Sequence, residues 1–151
     1  MVVAAVIHEL WHGLAVVFFG GRIYAIHFTG AGIKMETEPL PAGRELIVAL
    51  AGPVGSASLL LLSNYFPRTA VCGAVHCLYN LLPLFPLDGG RVVQNAIALF
   101  APVHRQEPLF RISQGVVRGA LAVFGVFTVV RWGLLPGAVV LGVMMRQRKW
   151  K

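Results

Sequence analysis

Two histidines four positions apart, His8 and His12, enclose Glu9 near the start of the chain. On a helix such residues share a face with Cβ atoms about 5–6 Å apart, a spacing that suits two neutral imidazoles on one divalent ion. Glu9, beside them, can serve as general base toward a water activated by that ion. The pattern His-Glu-x-x-His is short enough to arise by chance, but its setting is informative. It lies within the apolar run 2–19, and a carboxylate at the centre of a bilayer costs about 2.5–3.5 kcal/mol.

A catalytic zinc site needs a third protein ligand and an open position. The chain has only 6 acidic residues. Glu36, Glu38, Glu45 and Glu107 fall in or beside polar connections, where a solvated role is the default. Asp88 is the remaining acid tied to an apolar segment. Just before it, Pro83 and Pro86 remove backbone donors and discourage a regular helix. Just after it, Gly89 and Gly90 permit close backbone approach. One divalent ion, two neutral histidines and the carboxylates of Asp88 and Glu9 sum to zero charge, so a buried site there is neutral.

These residues need a scaffold, and the composition says which solvent it meets. The chain has 151 residues, 57% of them hydrophobic and 13% charged, with a mean hydropathy of +0.74. Soluble domains carry about 25% charged residues, so the bilayer is the expected solvent. Five hydrophobic segments can be read: 2–19, 46–64, 70–86, 116–130 and 133–145. If each crosses once, eleven of the 13 cationic residues fall on one side, and only Arg68 and Arg131 on the other. The positive-inside rule then makes the first side cytoplasmic, with the C-terminus on it. Fusing 116–145 into one span would strand Arg131 at mid-membrane.

The net charge of +7 does not indicate nucleic acid, because the cations are scattered through short connections. Cys72 and Cys77 lie in an apolar run and make no disulfide framework. With His76 they match no ligand spacing, and ordinary packing is expected of all three. Between the first two spans, alternation over Ile23–Phe28, a turn at Thr29-Gly30-Ala31-Gly32 and a second extended stretch predict a β-hairpin at the cytoplasmic face. The expected architecture is therefore an all-α transmembrane bundle of about five spans with a small membrane-associated hairpin. It forms one domain over 1–151, with a catalytic core at about 1–100 and accessory spans at about 116–145.

The combination resembles the site-2 proteases, intramembrane zinc metalloproteases, and is most similar to the branch typified by the stage IV sporulation protein FB. Three stretches carry the resemblance in the family's order: Ile7-His8-Glu9-Leu10-Trp11-His12, Leu50-Ala51-Gly52-Pro53, and Asn80 to Gly90 with its Pro-Leu-Asp-Gly-Gly ending. The resemblance implies that His8, His12 and Asp88 bind Zn²⁺, that Glu9 is the catalytic base, and that Asn80 faces the substrate or supports the site. It also implies a multi-pass protein of the bacterial cytoplasmic-membrane type. Its substrate would be a membrane-associated protein, such as a sporulation sigma-factor precursor, and membrane-protein regulators would be its partners. The hairpin resembles the family's strands that pair with an extended substrate. Gly52, Gly55 and Ser56 fit a close helix contact and are read as packing rather than chemistry. Trp11 departs from the family, which usually has a small residue there. The alternative from another class is a non-catalytic membrane regulator or metal-binding protein on the same fold.

Overall fold

A computed structural model describes residues 1–29 and 32–132. The described chain is mainly helical, with one hairpin. In order it comprises α1 (Val2–Phe18), β1 (Ile23–Thr29), β2 (Gly32–Thr37), α2 (Ala42–Ser58), α3 (Pro67–Asn80), α4 (Asp88–Phe100) and α5 (Val103–Trp132). A 3₁₀ turn, Leu59–Leu62, prolongs α2.

α2 is the central helix, packed against α1, α3 and α4. It is built for close approach: Ala49, Gly52, Pro53, Gly55 and Ser56 are all buried. Small residues let helix backbones come together without a driving force from water. The outside is apolar instead. On α1, Val3, Val6, Leu10, Leu14 and Val17 form an exposed stripe opposite the buried Ala4, His8, His12 and Val16. This arrangement, polar groups inward and aliphatic groups outward, is stable where the surroundings are hydrocarbon.

Two helices among the described residues are long and apolar enough to cross a membrane. These are Ala42–Leu62, 21 residues with mean hydropathy 1.9, and Val103–Arg131, 29 residues with mean hydropathy 1.5. Val2–Phe18 is a shorter apolar helix. The segment expected to span at 70–86 begins as a 14-residue helix, Pro67–Asn80, and continues as a non-helical stretch over 81–87. At 1.5 Å per residue the helix alone reaches about 21 Å of the roughly 30 Å of a hydrocarbon core, so a crossing here includes the non-helical stretch. The segment expected at 116–130 is the second half of α5. The segment at 133–145 lies outside the described residues.

The hairpin expected from alternation is present. β1 and β2 pair antiparallel from Ile23↔Thr37 to Thr29↔Gly32, with an irregularity between Ile23 and Ala25. It rests on α1 at Gly13, where an added Cβ would lie 3.5 Å from Met35 Sδ and 3.6 Å from Ile23 Cδ1. The hairpin is thus seated on the residue that follows His12.

Candidate metal centre

Helical periodicity on α1 does what the sequence spacing requires. His8 and His12 stand on one face, 3% and 5% exposed, with ring centroids 4.7 Å apart. Each ring is then fixed from α2. The Val48 carbonyl accepts a hydrogen bond from His12 Nδ1 at 2.7 Å, and His8 Nδ1 lies 3.0 Å from Ser56 Oγ. The carbonyl is reachable because the residue one turn on is Gly52, where an added Cβ would fall inside the His12 ring. Gly55 plays the same part for Trp11, whose indole occupies the space a side chain there would fill. The bulky Trp11 is accommodated by a glycine on the facing helix.

Asp88 is the first residue of α4, 7% exposed, and sits near the positive end of that helix's dipole. Its Oδ2 lies 2.8 Å from His8 Nε2 and 3.2 Å from His12 Nε2, and the two Nε2 atoms are 3.1 Å apart. Because the Val48 carbonyl only accepts, His12 carries its proton on Nδ1 and presents a bare Nε2 lone pair. Ser56 Oγ can accept as well as donate, so it admits the matching tautomer at His8, with Nδ1–H toward Ser56. In those tautomers two nitrogen lone pairs and a carboxylate oxygen converge in a buried space. One proton can bridge one pair of these atoms, whereas a central cation satisfies all three. A tetrahedral ion with bonds of about 2.0–2.2 Å needs donors roughly 3.3–3.5 Å apart. The observed triangle is a slightly contracted face of that figure, so these residues fit a zinc-type ion.

Glu9 follows His8 on α1 and is half-buried. The second Asp88 oxygen, Oδ1, is 3.9 Å from Arg91 Nη1, and Arg91 Nη2 is 3.1 Å from Glu45 Oε2. Glu45 Oε1 accepts the Leu40 backbone N–H at 3.1 Å. A polar chain thereby links the end of the hairpin connection to the carboxylate of the site.

Asn80 is not drawn into this cluster by its described hydrogen bond, in which its amide donates to the His76 carbonyl at 3.0 Å. His76, expected to be packing, meets the His8 ring edge-on at 4.8 Å between centroids. The Ser56 hydroxyl was also read as packing, and here it contacts a candidate ligand. A hydroxyl on the glycine-rich face of an apolar helix was the available signal. Cys72 and Cys77 are half-buried and free.

No family model matches the chain. It is 29% identical over 110 residues to a zinc metalloprotease of Methanocaldococcus jannaschii, a match covering 64% of this chain and 32% of that protein. The chain thus spans about a third of the length of that curated relative. The solved structure of the site-2 protease from the same organism superposes with a TM-score of 0.65, covering 99% of this chain and 76% of that one. The chain has the site-2 protease fold. Sequence identity across the site-2 protease superposition is 21%, so this likeness concerns architecture alone. Neither comparison reaches the sporulation branch.

Proposed function

We propose that the chain is an intramembrane zinc metalloprotease of the site-2 type, hydrolysing a peptide bond of a membrane-associated protein. The observation that carries this reading is the buried convergence of His8 Nε2, His12 Nε2 and Asp88 Oδ2 beside Glu9. Similarity to a zinc metalloprotease and the shared fold support it.

His8, His12 and Asp88 would hold the ion. When bound in such a site, zinc supplies Lewis acidity and lowers the pKa of a coordinated water to about 7. The Val48 carbonyl holds His12 in the tautomer that turns its lone pair inward, and Ser56 accepts the matching Nδ1–H of His8. Glu9 takes the proton of the attacking water and returns it to the leaving amine nitrogen. The hairpin, seated one residue beyond His12, offers strand edges to which an extended substrate adds, opening a helix before cleavage. Asn80 contacts the substrate or steadies the loop beside it. In this reading the chain crosses the membrane five times with its C-terminus in the cytoplasm, and a sporulation sigma-factor precursor is the first substrate to try.

The test is Glu9→Gln in the purified, zinc-loaded protein. The variant is expected to retain zinc and lose cleavage of a membrane-associated pro-protein. Full cleavage by Glu9→Gln overturns the mechanism. A wild-type protein that holds zinc and cleaves nothing turns the reading toward a metal-binding regulator on the same fold.

A further inference from the structure

Gln114 lies on α5, far along the chain from the His-Glu motif, yet it is 6% exposed in a helix whose surface is otherwise largely open. Its side-chain amide is used at both ends on one short stretch of backbone. Oε1 accepts the Phe85 N–H at 2.9 Å, and Nε2 donates to the Pro83 carbonyl at 3.2 Å. Only one orientation of the amide satisfies both partners, because the reverse would set donor against donor and acceptor against acceptor. This backbone needs an outside partner. It lies in the non-helical segment 81–87, where two prolines supply no N–H.

The segment is in rigid contact with the start of α4. An added Cβ on Gly89 would collide with the Leu81 and Leu82 carbonyls, and one on Gly90 with the backbone of Leu84 and Phe85. Leu87 N–H is bound to the Leu84 carbonyl at 2.8 Å, and Leu84 itself is fully buried. No flexible side chain lies between the stretch that Gln114 grips and the two glycines following Asp88. A displacement of Pro83–Phe85 therefore passes through backbone contact to Asp88, whose Oδ2 must stay within about 3 Å of both imidazoles.

We infer that Gln114 is a positioning residue for the metal centre, clamping the 83–85 backbone so that Asp88 is held on the His8–His12 face. This rests on the metalloprotease reading above. It also makes the first half of α5 part of the site's support, so the functional core does not stop near residue 100.

The experiment uses the full chain in detergent with Co²⁺ as the probe, read by affinity in chelator competition and by the d–d absorption of the bound ion. Gln114→Met keeps length and helix propensity while removing both bonds. It is expected to weaken Co²⁺ binding 10- to 100-fold, the usual effect of losing a support behind a metal ligand, and to alter the absorption bands. Gln114→Glu keeps the acceptor for Phe85 N–H but faces the Pro83 carbonyl with an oxygen, and is expected to lose affinity as well. Thr128→Val is the control. That buried α5 hydroxyl bonds only within its own helix in the described contacts, to the Gly125 carbonyl, and its loss should leave affinity and spectrum unchanged.

Wild-type affinity and spectrum in either Gln114 variant overturn the positioning role alone. So does loss of fold in both, which makes Gln114 a general structural residue. A wild-type protein that binds no Co²⁺ overturns the metalloprotease reading first, and the positioning role with it.

Discussion

At the scale of single residues, the centre depends on atoms that contribute no ligand. Val48 fixes a proton on Nδ1 of His12, Ser56 contacts Nδ1 of His8, and Gly52 decides whether His12 can reach the Val48 carbonyl at all. Ser56→Ala is expected to lower zinc affinity about 10- to 100-fold, measured by chelator competition, with the helical content unchanged. Gly52→Ala is more severe in kind, because the new methyl would overlap the His12 ring. Overpacking of that sort costs about 1–3 kcal/mol where the surroundings can yield. Here the yielding group is a proposed metal ligand, so zinc stoichiometry should fall together with the thermal midpoint. A Gly52→Ala protein with full zinc and wild-type stability would show that the ring has room the geometry does not display.

At the scale of elements, α1 and α4 bring the donors while α2 stands behind them and sets their separation. The Glu45–Arg91 pair ties the start of α2 to α4 and is partly exposed, with side chains 18% and 35% accessible. Pairs in contact with solvent contribute about 0.2–1 kcal/mol, so a double-mutant cycle with Glu45→Gln and Arg91→Gln should return a coupling within that range. A coupling near zero would remove Glu45–Arg91 as a tie between the helices. The hairpin is an element of a different kind, since it touches α1 through Met35 and Ile23 and supplies no ligand. Replacing residues 23–37 with a Gly/Ser stretch of equal length is expected to leave zinc binding within a few-fold of wild type and abolish cleavage of the pro-protein. Retained cleavage would rule out strand addition as the route of substrate binding.

At the scale of the whole molecule, many large apolar side chains are exposed on the described surface while His8, His12 and Asp88 are buried, so the protein should need detergent or lipid to stay dispersed. The five-crossing reading places Arg68 outside the cell and Glu38 inside. In a background of Cys72→Ala and Cys77→Ala, Arg68→Cys should react with a membrane-impermeant maleimide added to intact cells. Glu38→Cys should react only after the membrane is opened. The opposite pattern would invert the topology and place the hairpin on the far side.

That His8, Glu9, His12 and Asp88 are candidates could be read in the sequence for a simple physical reason. Polar, titratable residues are expensive in apolar segments, so those that occur stand out without any knowledge of their neighbours. The hairpin was legible for a similar reason, because alternation and a glycine-bearing turn are local properties. The end of the third helix was not, since apolar residues from 70 to 86 look alike whether a helix continues through them or stops at Asn80. The supports were hidden as well. Ser56, Val48 and Gln114 act on residues 48, 36 and 29 positions away, and no local pattern encodes which distant backbone or ring a side chain will meet. The sequence by itself determined which groups could bind a metal and how apolar the segments that carry them are. Only the tertiary structure decided that three lone pairs meet at one point, because that depends on how closely glycine-lined helices approach one another.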